Sequence, residues 1–108
     1  MSIHLPKPIA AYIAAENGHD RDAVPQWFAQ NAIVRDEGRT IEGGPAIKEW
    51  MAETKKKYQH TVEPLSSVQK DGKTIVTSRL SGNFPGSPVE VDFVFGLEAG
   101  KIRSLEIR

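Results

Sequence analysis

The chain has 108 residues and carries 14 Lys and Arg against 14 Asp and Glu, for a formal net charge of zero. That length admits one domain, 1–108, with a single core, and the balanced charge offers no basic patch for a phosphate backbone, so no nucleic-acid partner is expected. Cysteine is absent, which excludes disulfides, thiol catalysis and thiolate metal sites; the opening MSIHLPKPIA has no apolar h-region and no run is long enough to span a bilayer, so a cytoplasmic protein without a membrane partner is expected.

Pro6 and Pro8 punctuate the start of the chain. Ile9, Tyr12, Ile13 and Glu16 then recur at helical spacing, which predicts a first helix over Lys7–Glu16 that stops at Asn17–Gly18. Asp20 or Asp22 caps a second helix. Pro25 must fall in its first turn, which favours Asp22. Val24, Trp27 and Phe28 form its buried face, and Asn31 stops it. Ala32–Asp36 reads as a short strand with Val34 and Asp36 on one side. The turn Asp36–Arg39 follows, then Thr40–Glu42 as a short pairing strand. Gly44–Pro45 opens a third helix, whose stripe is Ile47, Trp50, Met51, Thr54 and Tyr58. The basic run Lys55–Lys57 suits the negative end of that helix's dipole.

From His60 onward the period falls to about two residues. Gln59–Gln69, Thr74–Phe84, Val89–Leu97 and Ile102–Arg108 read as four strands. They are separated by an Asp71–Gly72 turn, a Pro85–Pro88 turn and a Glu98–Lys101 turn. Helices first and antiparallel strands last is the pattern of an α+β fold. A curved antiparallel sheet with three helices across its concave face would enclose a mostly apolar pocket. The outer face, charged but interspersed with Val76, Leu80 and Val94, would suit a homodimer.

Several side chains carry two readings. Asp36 is either a cavity acid whose burial suits it to proton transfer, or a turn-former bonded to its own backbone. Tyr12 is either a hydrogen-bond donor or a core aromatic. His60 is a general base, a polar pocket wall or a surface residue. Arg79 either faces inward to pair with Asp36 or outward to solvent. Trp27, Phe28, Trp50, Met51, Phe93, Phe95 and Leu105 are expected to make the core and the pocket wall. There is no metal-ligand spacing, no GxGxxG and no phosphate loop, so no metal and no cofactor is expected.

Four stretches carry a resemblance: AAYIAAENGHD, WFAQNAIVRD at Trp27–Asp36, GGPAIKEWM at Gly43–Met51, and VDFVF followed by GLEAGKI. In this order they make the chain resemble the nuclear transport factor 2-like superfamily, also described as SnoaL-like domains, over nearly its whole length. The resemblance implies a cone-shaped α+β barrel. It is nearest to the ketosteroid isomerase branch, which has an oxyanion-donating tyrosine in the first helix and a proton-shuttling aspartate at the end of the first strand. Tyr12 and Asp36 fall at those positions. The branch's second donor, a protonated aspartate, falls at Val91, while Asp92 points to the opposite face. The supporting tyrosines fall at Phe28 and Met51, which cannot donate a hydrogen bond. Losing one oxyanion donor costs on the order of 100- to 1,000-fold in rate, so efficient steroid isomerisation is not expected.

The resulting expectation is a pocket for a small apolar ligand, with Asp36 as acid/base and Tyr12 as donor in an isomerase- or cyclase-like proton transfer. The pocket would be lined by Trp27, Phe28, Trp50, Met51, His60, Val91, Phe93, Phe95 and Leu105. The alternatives are a non-catalytic ligand-binding domain and a dimerising interaction domain with a filled core.

Overall fold

The computed structural model describes residues 3–18 and 24–108, the side chains of 24 and 25 excepted. His19 and the proposed caps Asp20 and Asp22 lie outside the described residues. The elements run α1 (Lys7–Glu16), α2 (Val24–Trp27), β1 (Phe28–Asp36), β2 (Arg39–Glu42), α3 (Gly44–Tyr58), β3 (Thr61–Lys70), β4 (Lys73–Ser81), β5 (Val89–Glu98) and β6 (Lys101–Ile107). This is an α+β fold with one curved six-stranded sheet in the order β2-β1-β6-β5-β4-β3. Only β1 and β6 pair in parallel among the described strands.

Two expectations need correction. The sheet is not a closed barrel: β2 ends after four residues, where Gly43 leads into α3, so β2 and β3 remain separate edges. The expected second helix is a single four-residue turn, leaving two full helices. Phe28 and the residues after it go into β1, which starts four residues before the expected Ala32, with Phe28 paired to Ile102 of β6 and Asn31 inside the strand. Phe28 pairs with Ile102, the ladder then shifts register, and pairing resumes at Ile33 with Ser104, so long-range pairing with β6 overrides the helical spacing of a few apolar residues.

The core lies between the helices and the inner sheet face. Ile9, Tyr12 and Ile13 of α1 and Ile47, Trp50 and Met51 of α3 pack over Phe28, Val34, Val76, Phe93, Phe95, Ile102 and Leu105. Burying each such side chain is worth about 1.5–3 kcal/mol. Register fixes which face each strand residue takes: Val76 pairs with Phe93 and Leu80 with Val89, so Val76 and Leu80 face inward. They are therefore not part of the outer face proposed for a dimer. On that outer face Thr77 Oγ1 donates to Asp92 Oδ1 at 2.7 Å. Arg79 also lies outward, ion-paired with Glu63 at 2.8 Å. Among the described residues no helix is long and apolar enough to cross a membrane.

Asn17 does more than end α1. Its Nδ2 donates to Val62 O at 3.0 Å and its Oδ1 accepts from Val62 N at 2.8 Å. Val62 belongs to edge strand β3, and the amide satisfies both outward backbone groups as a neighbouring strand would. Asn17→Ala removes both bonds and should lower unfolding free energy by about 1–3 kcal/mol, read by urea denaturation; a loss below about 0.5 kcal/mol would show that water replaces the amide without penalty.

Candidate functional site

A cavity of about 410 Å³ opens between the inner sheet face, the end of α1 and the C-terminal half of α3. Val89, Val91 and Phe93 of β5, Leu80 of β4 and Ile107 of β6 form its apolar floor, and Phe84 adds a loop wall. Its polar lining is Glu16, Asp36, Glu37, Thr54, Tyr58, His60 and Arg108, with the Trp50 indole between.

Asp36 reaches the cavity because β1 ends there. Glu37 and Gly38 both take positive φ, 52° and 75°, as a two-residue type I′ hairpin turn requires, and only then does β2 return along β1. The Trp50 Nε1–H donates to Asp36 Oδ2 at 3.3 Å. Burial raises the Asp36 pKa above its ordinary value and the Glu37 carboxylate adds to the rise, while the Trp50 bond and Arg39 oppose it. A carboxyl raised in this way is suited to accept and return a proton.

The tyrosine is placed differently. Tyr12 is 1% exposed and does not line the cavity. Its ring packs edge-on to Phe28, Phe93 and Phe95, with centroids 5.8, 6.2 and 5.7 Å away. The hydroxyl is buried and points toward the Glu16 carboxylate without closing a well-formed hydrogen bond. Burial, then the nearby Glu16 and Asp36 carboxylates, push its pKa well above the usual tyrosine value, so it stays protonated.

The polar group brought to the cavity instead is a buried pair from opposite halves of the chain. Glu16 is 5% exposed and His60 4%, and His60 Nε2 lies 2.8 Å from Glu16 Oε2. The His60 Nδ1 has no partner. Three contacts fix this residue. Lys55 Nζ donates to the His60 carbonyl, the Asn17 clamp holds the next residue but one, and Gly82 packs against it so closely that a Cβ there would lie 2.9 Å from His60 Cα. At the mouth, Tyr58 donates to Glu37 Oε1 at 3.3 Å and stacks edge-on against Phe84 at 5.8 Å.

Of the residues singled out in the sequence, Asp36, Trp50, His60, Val91 and Phe93 share the cavity. Phe28, Met51, Phe95 and Leu105 pack in the core and do not line it, and Trp27 is half-buried with Lys7 Nζ 5.5 Å from its ring centre. The sequence reading passed over Glu16, Glu37, Tyr58, Leu80 and Val89. The available signal for Glu16 was an acid on the apolar stripe of α1, four residues after Tyr12. Leu80 and Val89 follow the inward alternation of their strands.

The SnoaL-like domain family is matched over residues 9–105. Among solved structures, a candidate polyketide cyclase from Sinorhizobium meliloti is 38% identical, covering 96% of this chain and 95% of its own, with a TM-score of 0.91. A hypothetical protein of ketosteroid isomerase-like fold from Catenulispora acidiphila, solved with trimethylamine, is 20% identical over 97% and 86% of the two chains, TM-score 0.82. A candidate isomerase of the SnoaL-like family from Agrobacterium tumefaciens is 21% identical over 93% and 92%, TM-score 0.76. No curated protein matches the chain.

The Trp50 bond favours ionised Asp36, so Trp50→Phe should raise the Asp36 pKa further, as read by carboxyl ¹³C NMR titration; an unchanged or lowered value would mean that the indole does not act on the charge. The raised pKa also has a stability consequence. The folded state holds the Asp36 proton more tightly than the unfolded chain, so this group's contribution falls as pH rises from the ordinary value of 3.8 through the raised one. Asp36→Asn should therefore be the more stable protein above that window, with the difference closing below it, by thermal denaturation across pH.

Proposed function

Because the chain belongs to the SnoaL-like domain family, we propose that its cavity takes a small, largely apolar carbonyl compound and that Asp36 moves a proton on it in an isomerase- or cyclase-like reaction. The observation that carries this reading is Asp36 itself: a half-buried carboxyl with a raised pKa, held by an indole N–H over a floor of Val91, Phe93 and Ile107. The Asp36 carboxylate takes a proton from the carbon beside the carbonyl. The C–H electron pair becomes the C=C bond of an enolate, and the carbonyl π pair moves to oxygen. Return of the proton to another carbon completes an isomerisation. Attack of the enolate carbon on a second carbonyl, with the proton passing to the new alkoxide, completes a ring closure. The cyclase description of the Sinorhizobium relative supports the second outcome.

A non-catalytic ligand-binding role is the second reading. It is favoured by Tyr12, whose ring sits in the aromatic core and which does not line the cavity.

α-Deuterium exchange into 2-tetralone, an apolar enolisable ketone, separates the two when followed by ¹H NMR in D₂O. The enzyme reading expects exchange above buffer, with Asp36→Asn slowing it by about 100-fold or more. Equal rates for the two proteins would end the catalytic role of Asp36, and exchange no faster than buffer alongside measurable ligand binding would favour the binding module.

A further inference from the structure

We propose that Glu37 is a positioning residue for the proton transfer: held by Tyr58 at the cavity mouth, its carboxylate keeps a second negative charge beside Asp36, so that a proton taken from a ligand carbon is held there more tightly. The proposal rests on reading Asp36 as the acid/base of the cavity, and adds the residue that sets its strength.

Consecutive residues of an extended strand face opposite sides of the sheet. Asp36 and Glu37 break that rule, since both line the cavity. The cause is the Glu37 backbone, whose φ of 52° ends the extended run, so the alternation stops at Asp36. Nothing in the turn itself calls for a glutamate: the matching positions of the β3–β4 and β5–β6 turns hold Asp71 and Ala99, with φ of 53° at each. The glutamate brings reach. Its Oε1 lies 3.3 Å from the Tyr58 hydroxyl, which donates to it. Tyr58 is the last residue of α3, where Gln59 turns the chain with a φ of 48°. Its ring is held edge-on by Phe84, with Lys57 Nζ 5.0 Å from the ring centre. The β1–β2 turn, the end of α3 and the loop after β4 together fix where the Glu37 charge lies.

Two carboxylates on one wall repel when both are ionised, and proton uptake by one relieves the repulsion. The surroundings decide which of the two takes the proton. Asp36 is half-buried over the apolar floor, whereas Glu37 is exposed and accepts from Tyr58, as a carboxylate does. Burial of Asp36 and the Glu37 charge act on Asp36 in the same direction, and the Trp50 bond and Arg39 act against them. The other charged groups near the turn do little to cancel Glu37. Arg39 is paired with Glu53 at 3.7 Å, Arg108 with Glu106 at 2.9 Å, and Lys57 lies over the Tyr58 ring. Arg35 and Glu106 stand together in a groove on the other side of the same turn, with opposite charges.

Carboxyl ¹³C NMR titration of Asp36 tests this without any turnover. Glu37→Gln keeps the length of the side chain and removes its charge, and should lower the Asp36 pKa. Raising the salt to about 1 M should shrink the difference between the two proteins. Tyr58→Phe should shift Asp36 the same way by a smaller amount, because the Glu37 carboxylate is no longer held. In α-deuterium exchange into 2-tetralone, Glu37→Gln should move the acid limb of the pH profile to lower pH and slow the plateau by about threefold at unchanged KM. An unchanged Asp36 titration in Glu37→Gln overturns the assignment whatever the exchange rates. A difference that salt leaves untouched also overturns it, since the effect would then be structural and not one of charge. A wild type that exchanges no faster than buffer, alongside a lowered Asp36 pKa in Glu37→Gln, sinks the catalytic reading of the cavity and not the coupling of the two carboxyl groups.

Discussion

The junction between the end of α1 and the start of β3 is the constraint on which the site depends. A sheet that ends at β3 exposes the outward N–H and C=O of Val62, and the Asn17 side chain takes both. An amide can do this because it carries a donor and an acceptor in the same plane, at the spacing of a peptide group. The bond is a covering of a strand edge and also a register mark. It fixes where the last turn of α1 lies along β3, and so sets Glu16 opposite His60 across 44 residues of sequence. Shift that contact by one residue and the carboxylate and imidazole separate, leaving two buried polar side chains without each other, each costing on the order of 1–3 kcal/mol or more.

The same docking explains why Tyr12 is withdrawn. Once α1 is pinned at its end, Ile9, Tyr12 and Ile13 must face the sheet, and the ring of Tyr12 drops among Phe28, Phe93 and Phe95. Phe28 packs against it and has no hydroxyl to offer, and the charges that act on the Tyr12 O–H are the Glu16 and Asp36 carboxylates. Where the ketosteroid isomerase branch carries tyrosines, Phe28 and Met51 complete a core; the cavity begins one helical turn later, at Glu16. Helical periodicity itself makes the substitution available, because residues four apart share a face.

The fold was legible where one physical pattern dominates. The alternation of Val89, Val91, Phe93 and Phe95 reads as a strand with one buried side, and β5 forms there, though Phe93–Gly96 is buried on both faces. The turns at Asp71–Gly72 and Ala99–Gly100 carry positive φ at both residues, which their Gly announces. The Phe28–Asn31 stretch was misread because three apolar residues at helical spacing outvoted a strand whose pairing partner, β6, lies at the far end of the chain. No local pattern reports a parallel pairing of that separation. Asp36 and His60 were visible as chemistry-bearing residues, but Glu16 was not: as one acid on an apolar stripe it reads as the frayed end of a helix. Its meaning appears only when β3 is brought beside it.

The charges around the cavity narrow what it can hold. Glu16, Asp36 and Glu37 contribute three carboxyl groups to one wall system, against the Arg108 guanidinium, which is itself bonded to Glu106 at 2.9 Å. A ligand carboxylate or phosphate entering this space would meet like charges across a low-dielectric floor of Val91, Phe93 and Ile107, where they are poorly screened. A neutral carbonyl avoids that cost on entry and develops negative charge only as reaction proceeds, at the oxygen. Stabilising that charge then requires a donor set apart from the acid that takes the proton, or the two would quench each other. On the proposed reading, Asp36 at the end of β1 works on the carbon, and the oxygen needs its donor from another element of the wall.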